Sequence, residues 1–125
     1  ICGLGEPTLR LDVVLEVARE LSAKGRRVRL NTNGHGAAIH GRDIAPDLAG
    51  IVSAVTVTMN AHDRATYDRL SCPCMPGDMF QAMLDFTRAA RPCVPDVRLK
   101  LIVQPGVDVE ACRRIAEDEL KVKFQ

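Results

Sequence analysis

The 125-residue chain has no tryptophan, and its three phenylalanines and one tyrosine leave aromatics at 3%. So small a supply excludes the aromatic platforms on which single-stranded nucleic acids stack. Neither sign of charge dominates: 17 Lys and Arg stand against 16 Asp and Glu, interspersed, for a formal net charge of +1. No basic footprint for nucleic-acid phosphate or an anionic membrane results. No apolar run approaches the roughly 20 residues that cross a bilayer. Cysteines number five (Cys2, Cys72, Cys74, Cys93 and Cys112), an odd count at irregular spacing. That excludes a secreted disulfide framework and points to a reducing, cytoplasmic setting. Initiator Met and a signal-peptide pattern are both missing, and Ile1–Cys2 reads as the end of a strand. We therefore expect a chain that continues upstream.

What is present is enough for a core, since 46% of residues are hydrophobic. No linker or low-complexity segment divides residues 1–125, so one domain is expected. Thr8 is placed to cap a helix in which Leu9, Val13, Val14, Val17, Ala18 and Leu21 recur at helical spacing, ending at Gly25. Val28–Leu30 reads as a strand running into an Asn31–Gly36 loop, and a short helix is expected near Asp43–Leu48. Ala54–Thr58 is rich in strand formers. Asp63 and Asp78 cap two further helices across the Ser71–Gly77 break, and Pro92 and Pro95 end the second. Val97–Val103, a helix over Val109–Glu117 and a strand over Leu120–Phe124 complete the series. Strands alternating with helices at this spacing predict an α/β fold with a parallel sheet of about five strands, counting Ile1–Cys2.

Each strand runs into small polar residues at its C-terminal end. These are Gly3–Pro7, Asn31–Gly34, Thr58–Asn60 and Gln104–Gly106. Parallel α/β sheets bind ligands at that end, although βα loops are polar in any case. Gly3–Leu4–Gly5–Glu6–Pro7–Thr8 carries most information. Gly5 permits close backbone approach, and Pro7 biases Glu6 toward extended geometry. The Glu6 carboxylate either accepts from a cationic ligand group or stands in solvent beside an ordinary helix cap. The third glycine of a dinucleotide fingerprint is absent.

These segments resemble the radical S-adenosylmethionine (SAM) superfamily. Gly5–Glu6–Pro7 after a hydrophobic strand resembles its Gly-Gly-Glu-Pro motif, with Leu4 in place of the first glycine. Thr32–Asn33–Gly34 resembles its Thr-Asn-Gly turn, and Val55–Ala61, then Asp63 and Tyr67, resembles the segment that usually reads as a strand ending in Ser-hydrophobe-Asp-Gly. Asn33–Gly36, Ile39–Arg42 and Asn60–Ala61 are most similar to the subgroup associated with TatD-type deoxyribonucleases. The resemblance implies a partial parallel (β/α) barrel, of TIM-barrel kind. It implies a parent enzyme that cleaves SAM reductively at a 4Fe–4S cluster, with unknown substrate. It also implies that Gly5, Glu6 and Pro7 hold the methionyl amino group, and that Thr58, Asn60 and Asn33 line the same SAM site. The cluster ligands, a Cys-x3-Cys-x2-Cys loop in the family, are absent here and expected upstream. The fragment alone is therefore expected to be inactive. Two other readings stay open: a cluster-free binding or scaffold module on a degenerate α/β barrel, and an unrelated α/β domain for a phosphorylated ligand.

Cys72–Pro73–Cys74 lacks Cys-x2-Cys spacing and a second pair, so a structural role is expected over a metal site. Cys2, Cys93 and Cys112 read as buried small hydrophobes. His35 and His40 read either as solvated loop residues or as groups that contact substrate and move protons. His62 is expected at the surface.

Overall fold

The computed structural model describes residues 1–3 and 5–125. Leu4, read above in place of the family's first glycine, lies outside the described residues. The strands are β1 (Arg29–Thr32), β2 (Ala54–Thr58), β3 (Asp96–Lys100) and β4 (Lys123–Phe124). They form one four-stranded parallel sheet in the sequential order β1, β2, β3, β4. The expected fifth strand is not assigned. Ile1 nonetheless accepts from Asn31 N and donates to Arg29 O, the hydrogen-bond pattern of a parallel neighbour at the β1 edge.

The helices are α1 (Leu11–Ala23), α2 (Gly36–His40), α3 (Arg64–Ser71), α4 (Met79–Ala90) and α5 (Val109–Arg114). Asp63 and Asp78 cap α3 and α4 as expected, accepting from Thr66 N at 2.7 Å and Gln81 N at 2.9 Å. Asp108 does the same for α5, which runs on into a π-turn over Ile115–Glu119. Two expectations are corrected. Thr8 is not the first cap: Glu6 caps a 3-10 turn over Pro7–Arg10, and Thr8 is fully buried within it. The glycine-rich segment after Asn33 is not all loop, because Gly36–His40 forms α2.

Pleat alternation divides the sheet into two unlike faces. Leu30, Val55, Val57, Val97 and Leu99 join a single core with Val14 and Ala18 of α1, Met83 and Phe86 of α4, and Cys112 of α5. The opposite face carries Arg29 and Asn31, Thr56 and Thr58, and Arg98 and Lys100. The register aligns Asn31, Thr56, Arg98 and Lys123 in one row across all four strands. Strands paired in chain order by right-handed crossovers place their helices on one side of a sheet. That accounts for one apolar face and one polar face. No helix among the described residues is long and apolar enough to cross a membrane.

Candidate functional site at the C-terminal rim of the sheet

The loops leaving β1 and β2 meet the Gly3–Pro7 segment at the C-terminal rim. Together they enclose a hollow of about 340 Å³. All six residues expected to share a site bound it: Gly5, Glu6, Pro7, Asn33, Thr58 and Asn60. Cys2, Gly3, Asn31 and Thr32 also line it. Gln104, at the rim beyond β3, is not among the residues around this hollow.

Glu6 is more deeply engaged than the sequence suggests. Its Oε1 accepts from Thr8 N at 3.0 Å, Thr8 Oγ1 at 2.6 Å and Thr32 Oγ1 at 2.7 Å. Its Oε2 accepts from Asn33 N at 2.7 Å. Neither the solvated carboxylate nor the wholly free acceptor is observed. One carboxylate clamps the first loop to the second, and only Oε2, with one donor, retains accepting capacity. The second loop is tightened further by Gly34 N donating to Thr32 Oγ1 at 3.0 Å and His35 N donating to Asn33 Oδ1 at 2.9 Å. Gly34 has φ +81°, and a Cβ there would stand 3.1 Å from the Met83 backbone, so glycine is required by both conformation and space. With Asn33 Oδ1 occupied, its amide NH2 is the group left for a ligand.

Asn60 is strained. Its φ is +61°, and Ala61 N donates across it to Met59 O at 2.8 Å, the i to i+2 bond of a γ-turn in its rarer, strained hand. Its Oδ1 is buried without a hydrogen-bond partner among the described residues. Thr58, two residues earlier, is half-buried at the end of β2.

The histidines depart from a solvated-loop picture. His35 is 7% exposed, and its Nε2 lies 2.8 Å from the hydroxyl of Tyr67, itself 2% exposed. Burial pushes the His35 imidazole below its ordinary value, against the opposing pull of the Glu6 carboxylate. Burial also pushes the Tyr67 phenol up to about 12. Sequence reasoning did not pair these two, which lie 32 residues apart. His40, although exposed, holds Thr8 O through Nε2 at 2.6 Å. His62 bridges loops, accepting from Asp108 N at 3.2 Å and lying 3.0 Å from Asp63.

All five cysteines are free. Cys112 is buried, and burial raises its thiol to about 11. Cys2 is exposed and Cys93 only half-buried, which corrects the expectation of three buried thiols; Cys2 stands at the hollow's edge because the chain there is rim. Among the described residues no three His, Cys, Asp or Glu side chains converge as a metal site, Cys72 and Cys74 included. No family model matches the chain, and no curated protein matches it.

Proposed function

We propose that this chain is the SAM-binding portion of the (β/α) barrel of a radical SAM-type parent enzyme. The carrying observation is the convergence of Glu6, Asn33, Thr58 and Asn60 on one hollow at the C-terminal rim. Sequential parallel strand order, with the helices packed on one face of the sheet, supports a barrel arc. The residues fit the amino-acid end of SAM. Its ammonium needs acceptors, and Asn60 Oδ1 is a buried acceptor without a donor. Glu6 Oε2 adds negative charge beside it. The Thr58 hydroxyl and Asn33 amide suit its carboxylate.

The residues do not fit a 4Fe–4S cluster, for which three thiolates must converge. This chain's part would be to seat and orient SAM; the electron that cleaves it would have to come from a group held outside these residues. Five unpaired thiols suit a cytoplasmic location. The functional link to a TatD-type nuclease rests on the sequence resemblance alone.

A second reading is favoured by one specific observation. Four protein donors already occupy the Glu6 carboxylate, as in a cluster-free binding or scaffold module whose motif is architectural. Titrating the chain with SAM by calorimetry decides whether the rim binds it. We expect saturable binding that Asn60→Gly weakens about tenfold; no binding overturns the SAM assignment. Release of 5′-deoxyadenosine by the reconstituted full-length protein then separates enzyme from scaffold.

A further inference from the structure

Beside the first hollow lies a larger one of about 520 Å³, within the size range of small-molecule pockets. The buried His35–Tyr67 pair forms part of its boundary, and Tyr67 is braced by Phe80 at 5.7 Å between ring centroids. Leu9, Ile39, Leu70 and Met75 give it apolar surface. Leu9 is 61% exposed and lends the hollow accessible apolar surface. Asn60 Oδ1 at this hollow is buried without a hydrogen-bond partner among the described residues, and the Ser71 hydroxyl lies against the Tyr67 phenol, within reach of a hydrogen bond. A buried acceptor of that kind costs folding stability until a partner reaches it.

Charge narrows the ligand. Among the described residues around the hollow, Glu6 is the one carboxylate, beside His35, the Tyr67 phenol and the thiols of Cys72 and Cys74, and its oxygens hold four protein donors. No Lys or Arg bounds it, so a phosphate or carboxylate would enter without a counter-charge. His35 and Tyr67 are both held in their neutral forms by burial.

We propose that this second hollow binds a neutral small molecule with an apolar body and an N–H or O–H group, the body against Leu9, Ile39, Leu70 and Met75 and the polar group at Ser71 and Asn60. The two hollows share Glu6, Asn33 and Asn60, so occupants of both would touch.

Benzamide, benzoate and benzylamine serve as matched neutral, anionic and cationic probes in an NMR titration of the labelled chain. Benzamide is expected to give saturable shifts at His35, Ser71 and Met75, with the two ions at least about tenfold weaker. Ser71→Ala is expected to weaken benzamide about fivefold while changing the melting temperature little. SAM affinity stays unchanged in that variant, since Ser71 does not border the first hollow. Met75→Trp, which fills the hollow, is expected to abolish benzamide binding. Equal binding of benzoate, shifts elsewhere on the surface, or benzamide affinity indifferent to both substitutions would overturn the proposal.

Discussion

Glu6 Oε2 accepts a 2.7 Å hydrogen bond from Asn33 N, across 27 residues of chain. With three donors on the other oxygen, this bond makes the carboxylate the tie between successive βα loops. Hydrogen bonds to charged acceptors are the stronger kind, and their loss strands buried donors.

Glu6→Ala is expected to destabilise the fold by about 2–4 kcal/mol, leaving Thr8, Thr32 and Asn33 donors without an acceptor. Glu6→Gln should cost less, because one carbonyl oxygen remains. Urea denaturation of the three proteins checks this; a cost below about 1 kcal/mol for Ala would show that the clamp adds nothing.

Asn60→Gly separates stability from binding. Glycine relieves a left-handed strain of about 1–2 kcal/mol and removes an unpaired carbonyl, while adding backbone entropy of about 0.5–1 kcal/mol to the unfolded chain. The expected outcome is equal or slightly greater stability with reduced SAM affinity. Loss of stability with unchanged affinity would mean that Asn60 serves the fold and not a ligand.

Stability should fall on mild acidification because of His35. Its folded pKa lies below the unfolded value of about 6.5, so the unfolded chain takes up a proton more readily. The contribution is complete above about pH 6.5 and is lost as pH drops through that value toward the folded pKa. Comparing urea midpoints at pH 8 and pH 5.5 checks the sign, and His35→Gln should flatten this part of the profile.

Asp96 acts in a lower window. Hydrogen bonds from Arg98 and Lys123 hold its carboxyl down to about 2. Its stabilisation is present above the unfolded value near 3.9 and disappears between about pH 4 and pH 2. Solvent screening limits it to about 1 kcal/mol. Asp96→Asn should remove that acid-limb slope in a pH series of thermal melts, and an unaltered slope would assign it to other carboxylates.

Local signals carried much of the architecture. The Asp63 and Asp78 caps and the helix stop at Gly25 follow from short-range chemistry, which sequence displays directly. The meeting of Glu6, Asn33, Thr58 and Asn60 followed from parallel topology, which sends every strand's C-terminal end to one rim. Helix α1 was harder to read because it is apolar on two sides. Leu9 in the preceding turn and Val13, Val17 and Leu21 share a spacing of four and are exposed, whereas Leu11, Val14, Leu15 and Ala18 are buried. Periodicity identifies such a helix but does not say which stripe faces inward. Long-range pairs left no trace at all. Neither the Thr32–Glu6 bond nor the His35–Tyr67 bond has a local pattern, and His35 is buried only because α2 turns the glycine-rich segment back on the fold.

The doubly tethered carboxylate of Glu6 changes what its motif can testify to. A side chain that must reach two loops at once would persist in a descendant that had abandoned catalysis, since losing it would unfasten the scaffold. A glutamate at this position is thus a signature of how the rim is assembled, and the ligand's own imprint should be sought in residues such as Asn60 that the scaffold itself would be better off without.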